Sequence, residues 1–190
     1  ALTVNTGAAI TTDPVATQTL CAGTAASFTV VATGTGLTYQ WKLGATNLVD
    51  GGTISGATTA TLNISSVVAG DAGNYTCDVT ASGCGAPTTS AISVLTVNDP
   101  ANITTQPVAT QTLCTGNAAN FAVVATGTGL TYQWKLGATN LVDGGTISGA
   151  TTASLDISSL VAGDAGNYTC EITDLCGAPI TSNISALTVN

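Results

Sequence analysis

Hydrophobic and polar residues alternate along this chain in short runs. Leu37, Tyr39, Trp41 and Leu43 are interleaved with Thr38, Gln40 and Lys42, the period-two pattern of a strand with one buried face. Phe28, Val30 and Ala32 alternate in the same way. Leu62 and Ile64 form another inward pair, followed by Tyr75, Cys77 and Val79, then Leu95 and Val97. Gly34, Asn47, Asp50-Gly51-Gly52, Gly70, Gly73 and Gly85 lie between the runs and supply turns. No stretch keeps a helical period over three turns. The pattern predicts many short strands closed by tight turns, an all-β sandwich.

The whole pattern occurs twice. Residues 30–60 are identical, position for position, to residues 123–153. The segment from Pro14 to Cys21 recurs unchanged from Pro107 to Cys114, and Gly70 to Cys77 recurs from Gly163 to Cys170. Beyond that the second copy is one residue shorter, so Cys84 corresponds to Cys176. The five residues Ala1-Leu-Thr-Val-Asn5 return as Ala186 to Asn190, and Leu95-Thr-Val-Asn98 closes the first copy. Residues 1–5 therefore read as the last-strand remnant of a preceding repeat, or as a strand that completes a neighbouring subunit. Residues 6–13 are expected to be a linker, 14–98 the first repeat, 99–106 a second linker and 107–190 the second repeat. The chain is expected to be a window on a longer array.

Composition narrows the function. The 190 residues include ten acidic residues, two lysines, no arginine and no histidine, for a net charge of −8. Without histidine there is no Ser-His-Asp triad, no Cys-His pair and no imidazole ligand. Two basic residues give no footprint for nucleic acid or an anionic membrane surface. A charged fraction of 6% with 44% hydrophobic residues is the reverse of a disordered composition. No run is long and apolar enough to predict a membrane span. There is no charged-then-apolar leader at the start, so a mature form or a fragment is expected. The six cysteines include no C-x-x-C pair and read as disulfide partners in an oxidising compartment.

Leu62-x-Ile64 followed by Asp71-x-Gly73-x-Tyr75-x-Cys77, preceded by Phe28-x-Val30-x-Ala32 and Tyr39-x-Trp41, resembles the I-set branch of the immunoglobulin superfamily. The resemblance covers both repeats, each of a size that suits such a sandwich. Thr-rich repeats of this kind are similar to those of large secreted surface proteins of Bacteroidota-type bacteria. The resemblance implies that Trp41 and Trp134 pack across the core. It also implies that Tyr75 and Tyr168 form the corner in which a tyrosine hydroxyl bonds back to the E–F turn.

The sequence departs from the family at its core disulfide, which joins strand B to strand F. Cys77 and Cys170 occupy the strand-F position, but Val30 and Val123 stand where the strand-B cysteine belongs. Each repeat instead carries two displaced cysteines. Cys21 and Cys114 precede the turn into strand B, and Cys84 and Cys176 lie near the tip of the F–G hairpin. The two positions fall at opposite ends of a sandwich, ~20 Å or more apart, against the ~7 Å that a disulfide allows. Tandem domains of this family stack end to end, which implies a bridge from Cys21 to Cys176. Cys84 would then bond to a preceding repeat and Cys114 to a following one, leaving Cys77 and Cys170 as buried thiols. The rival pairing is Cys21 with Cys77 and Cys114 with Cys170.

The remaining candidates are weak. Asp13, Asp50, Asp71 and Asp99 fall in or near turns and show no calcium-loop spacing. No metal, cofactor or catalytic residue is expected. Lys42 and Lys135 point away from the tryptophan face and are expected to be solvated, which argues against an isopeptide bond. The Asn-x-Ser/Thr triplets at Asn63, Asn74, Asn102, Asn167 and Asn183 arise readily in Thr-rich strands.

The expected function is therefore structural and non-enzymatic. The chain reads as part of an extracellular or cell-surface fibre, filament or stalk, whose partners are neighbouring repeats or copies of itself. An adhesin that binds glycan or protein through its loops is the alternative.

Overall fold

In each half of the chain the alternating runs pair into two sheets whose apolar faces enclose a core. The computed structural model describes residues 4–190. Most of the expected remnant strand at 1–5 lies outside the described residues, and Val4 and Asn5 are not in a strand. The chain divides into two compact units, Ala1–Asn98 and Asp99–Asn190.

The first unit contains β1 (Ala9–Thr12), β2 (Thr17–Cys21), β3 (Ala26–Thr29), β4 (Val31–Thr33), β5 (Thr38–Leu43), β6 (Thr46–Asn47), β7 (Ile54–Ser55), β8 (Thr61–Ile64), β9 (Gly73–Thr80), β10 (Thr88–Thr89) and β11 (Ser93–Asn98). One layer is the sheet β3-β8-β7, with β4 continuing the chain of β3 and pairing with β1. The other layer runs β2-β11-β9-β5-β6, with β10 on β9. The second unit repeats this plan with β12 (Asn102–Thr105), β13 (Thr110–Leu113), β14 (Ala119–Ala122), β15 (Val124–Thr126), β16 (Thr131–Leu136), β17 (Thr139–Asn140), β18 (Ile147–Ser148), β19 (Ser154–Ile157), β20 (Gly166–Thr173), β21 (Ile180–Thr181) and β22 (Ser185–Val189). Its pairings match the first unit strand for strand.

The expected linkers are corrected by the structure. Residues 6–13 contain β1 and residues 99–106 contain β12. Each of these strands offers only one partly buried aliphatic side chain, Ile10 or Ile103, so alternation is too weak to read. Pairing with β4 and β15, through Ile10↔Ala32 and Ile103↔Ala125, satisfies the backbone all the same.

Two residues past β1 the chain changes layer. Pro14 is buried there and has no N–H to offer a ladder. From Thr17 on the chain runs parallel to β11, in register from Thr17↔Val94 to Cys21↔Asn98. Ser93 fastens the change of layer, its Oγ donating to Val15 O at 2.5 Å.

Aromatic packing across the layers holds each core. Trp41 is 0% exposed, and Phe28 and Tyr75 are each 1% exposed. Phe28 comes from one layer, Trp41 and Tyr75 from the other. The rings of Phe28 and Tyr75 stack at 4.4 Å, and Phe28 meets Trp41 at 6.1 Å with a 47° tilt. The Trp41 indole N–H donates to Thr59 O at 2.9 Å, so the ring is buried with its one polar atom satisfied. Phe121, Trp134 and Tyr168 reproduce the cluster, with stacking at 4.3 Å. The Tyr75 hydroxyl donates to Asp71 O at 2.6 Å, and Tyr168 to Asp164 O at 2.7 Å. These bonds tie the start of β9 or β20 to the short 3-10 turn before it, Ala69–Asp71 or Ala162–Asp164.

Gly56 turns the chain between β7 and β8 at φ +78, where a Cβ would sit 2.1 Å from Thr61 O. No other residue fits there, and Gly149 repeats the arrangement.

Tyr75→Phe keeps the ring stack but leaves Asp71 O without its donor. The expected loss is about 1–3 kcal/mol, read as a lower denaturant midpoint with an unchanged slope. An unchanged midpoint would show that the corner bond contributes nothing net.

Candidate functional site

The cysteines are the residues with chemistry to offer, and their placement follows from the topology of each unit. β9 rises from Gly73 to Thr80 and pairs antiparallel with β11 through Leu95↔Gly73. Asn98, the last residue of β11, therefore lies at the end where β9 begins. Cys21 is opposite Asn98. The F–G tip with Cys84 follows Thr80, at the other end. Eight strand residues separate the two ends, about 25 Å.

The chain enters each unit at the end that holds the F–G tip. Thr6 N–H donates to Thr35 Oγ1 at 3.0 Å, Thr35 N–H to Thr6 O at 3.1 Å, and Ser82 N–H to Thr35 O at 2.9 Å. In the second unit Asp99 takes the place of Thr6. It donates to Thr128 Oγ1 and accepts from Thr128 N–H, both at 2.9 Å, and Leu175 N–H donates to Thr128 O at 3.2 Å. The exit end is equally tied, since Ala22 N–H donates to Asn98 O at 2.9 Å. Asn98 thus ends one ladder and the next residue, Asp99, already belongs to the other unit.

Cys21 and Cys176 are both disulfide-bonded. Cys77, Cys84, Cys114 and Cys170 are free thiols. Cys77 and Cys170 are 0% exposed and sit in the cores, opposite Trp41 and Trp134 in register. Val30 and Val123, at the family's strand-B position, are buried with them. Burial pushes each of these two thiols up to about 11, with the neighbouring Asp78 or Glu171 charge adding to the rise. At neutral pH they are protonated and inert. Cys84 is partly exposed and Cys114 exposed.

The two F–G tips differ. Asp174 gathers the N–H groups of Cys176 and Gly177 on Oδ1, at 2.6 and 3.1 Å, and that of Ala101 on Oδ2. Backbone donors, Ala101 first, hold its carboxyl below the ordinary aspartate range. The first unit has Ala81 at this position and an added glycine, Gly83 at φ +71. There Cys84 N–H reaches only Ala81 O, at 3.3 Å. Sequence reasoning passed over Asp174, although an aspartate two residues before a loop Cys-Gly is a turn signal.

Asp50 and Asp71 brace local loops, and Asp13 holds a segment distant in sequence. Asp13 accepts Ala91 N–H at 2.8 Å, Asp50 accepts Ala57 N–H at 2.7 Å and Asp71 accepts Val68 N–H at 2.8 Å. Among the described residues no group of three or more acidic or cysteine side chains could hold a metal ion.

The lysines differ from the expectation of free solvation. Lys42 pairs with Asp78 at 2.5 Å and Lys135 with Glu171 at 2.7 Å. Lys42 faces Thr76 across β5 and β9, so Asp78 is its diagonal neighbour on the outer face. That hydrogen bond from Lys42, with one from Thr89, lowers the Asp78 pKa.

Two predictions follow from these assignments. An alkylating reagent added to the native protein should label Cys84 and Cys114 rapidly. Cys77 and Cys170 should react only after unfolding. Equal labelling of all four would contradict the buried placement, and mass spectrometry reads the count. Because the folded pKa of Asp78 is depressed, its contribution is present above the unfolded value of about 3.9 and is lost as pH falls through the folded value. Wild type should therefore exceed Asp78→Asn in stability at neutral pH, and the gap should close in acid. A gap that persists at the lowest pH would refute the assignment.

Residues 8–96 match the family model of the Immunoglobulin I-set domain. Among solved structures, a titin fragment of three immunoglobulin domains in an E-to-A mutated variant superposes with a TM-score of 0.74 at 21% identity. The match covers 97% of this chain and 66% of that one. Immunoglobulin domains 1–4 of Sidekick-1 give 0.79 at 21% identity, over 98% of this chain and 49% of the other. The insect immune protein hemolin, whose domain arrangement carries implications for homophilic adhesion, gives 0.66 at 20% identity over 96% and 47%. The chain spans two thirds or less of these structures' length. At such identities the likeness is one of fold, and this chain is accordingly a tandem pair of immunoglobulin-like β-sandwiches.

Proposed function

We propose that the chain is a non-enzymatic structural segment of an extracellular fibre, filament or cell-surface stalk, built by serial stacking of immunoglobulin-like repeats. The observation that carries this reading is the direct passage from Asn98 to Asp99. Both residues are hydrogen-bonded within their own units, and no free residue separates them. A chain that enters each sandwich at one end and leaves at the other is suited to extension rather than to enclosing a ligand.

The same passage supports a covalent tie. Cys21 is opposite Asn98, while Asp99 bonds Thr128, whose carbonyl accepts from the neighbour of Cys176. The proposed tie pairs Cys21 with Cys176, the two cysteines that are disulfide-bonded. Such a bridge would limit bending between the repeats, which a hydrogen-bonded junction alone leaves open. A persistent disulfide supports an oxidising, extracellular location. The Thr-rich repeats support a surface protein of the bacterial kind that they resemble. Among the described residues no helix is long and apolar enough to cross a membrane.

The alternative is an adhesion module, favoured by the likeness to hemolin. Against it, residues 30–60 and 123–153 are identical, so the B–C loops and the turns after them are the same in both repeats. Distinct ligand sites need distinct loops, whereas stacking tolerates copies.

Non-reducing peptide mapping tests the tie. A linked peptide joining Cys21 to Cys176 is expected, and one joining Cys21 to Cys77 would overturn it. Electron microscopy of the native assembly should show fibres with a repeat along their length. Saturable binding of the chain on a glycan array, without fibres, would favour the adhesin.

A further inference from the structure

Each half of the proposed staple has a repeat counterpart that is still reduced. Cys21 ends β2, Cys114 directly follows the equivalent β13, and each opens an equivalent turn. Cys21 O accepts Thr24 N–H at 3.1 Å, and Cys114 O accepts Asn117 N–H at 3.1 Å. The final strand is fixed beside each, with Ala22 N–H on Asn98 O at 2.9 Å and Thr115 N–H on Asn190 O at 3.0 Å. Cys84 and Cys176 lie in equivalent hairpins, whose Ser82 and Leu175 N–H groups donate to the B–C loop threonines Thr35 and Thr128 that bind the entering chain. Cys21 and Cys176 are disulfide-bonded, whereas Cys84 and Cys114 are free and reach solvent.

We infer that Cys84 and Cys114 are complementary halves of one junction, and that Cys114 of one copy forms a disulfide with Cys84 of a second copy, head to tail. The inference rests on the array reading and on its Cys21–Cys176 tie. It names the partner as another copy of this chain and the bond as covalent.

The two halves are unlike surfaces, one at the exit end of the second unit and one at the entry end of the first. An interface of unlike halves adds copies without closing into a dimer. The Cys84 loop is also the less constrained of the two hairpins. It lacks the Asp174 carboxylate and carries Gly83, and Cys84 N–H is held by Ala81 O at 3.3 Å.

The chemistry balances with a small disulfide as oxidant. The Cys114 thiolate attacks glutathione disulfide, forming a mixed disulfide and releasing one glutathione thiolate. The Cys84 thiolate of the second copy attacks the Cys114 sulfur and displaces the second glutathione. Two protein thiols lose two electrons and two protons, and both are carried off in two molecules of reduced glutathione.

The test uses the intact chain with glutathione disulfide and non-reducing electrophoresis. Wild type should give a ladder of covalent multimers that collapses on reduction. Cys84→Ser and Cys114→Ser alone should each stop at monomer. An equimolar mixture of the two should give one dimer band containing a Cys84–Cys114 peptide. Blocking both thiols with iodoacetamide on wild type should abolish the ladder without any substitution. Symmetric Cys84–Cys84 or Cys114–Cys114 dimers, an intrachain Cys84–Cys114 bond, or no ladder at all would each overturn the inference. A map of the unoxidised monomer separates the two failures. If Cys21 is bonded to Cys176 and no ladder forms, only the intermolecular bond is wrong. If Cys21 is bonded elsewhere, the tie itself is wrong.

Discussion

The contact of Phe28 with both Tyr75 and Trp41 is the constraint on which each sandwich depends. Phe28 stands on one layer and the other two rings on the opposite one, so this cluster sets how the layers meet. In the I-set domains that residues 8–96 resemble, a disulfide crosses the layers at the same depth. Here Val30 and Cys77 leave that position uncrosslinked, and the three rings with Leu62, Ile64 and Leu95 hold the layers by packing alone. Dispersion and burial have no bond to fall back on, which explains why every ring in the cluster is excluded from solvent.

Removing the covalent crosslink from the core changes the role of the remaining cysteines. Inside the sandwich a thiol with its pKa pushed up to about 11 is a small apolar side chain and nothing more. At the ends it is accessible and exchangeable. The chain thus separates two tasks that a sandwich with a disulfide across its core combines. Packing stabilises the unit, and sulfur chemistry is reserved for the ends. Both lysines are spent on cross-strand pairs within the units, so the remaining carboxylates carry the net charge of −8.

Much of this was legible in the residues. Period-two alternation marked β5, β8 and β9 because one face of each packs on the core, and the duplicated segments fixed the number of units. The tyrosine corner followed from Asp71-x-Gly73-x-Tyr75-x-Cys77. What escaped were features that depend on partners rather than on pattern. β1 and β12 are Thr-rich, with a single partly buried aliphatic side chain, and they exist because β4 and β15 present an open edge. The Lys42–Asp78 pair depends on a diagonal register that no spacing along the chain reveals. Asp174 caps three N–H groups, one of them on Ala101, more than seventy positions away in sequence. The displaced positions of Cys21 and Cys84 pointed away from a core disulfide, but only the thiol states divide the six into bonded, buried and exposed.

The parallel pairing of β2 with β11 has a mechanical consequence. The chain enters a unit at one end and leaves β11 at the other, so tension along it pulls β2 and β11 in opposite directions along their common axis. Their ladder, from Thr17↔Val94 to Cys21↔Asn98, is then loaded in shear. All of its hydrogen bonds share the force at once, rather than yielding one after another as they would if peeled. Antiparallel neighbours joined by a hairpin would be unzipped from the turn. A repeat wired in this way resists extension most strongly along the line from its entry to its exit.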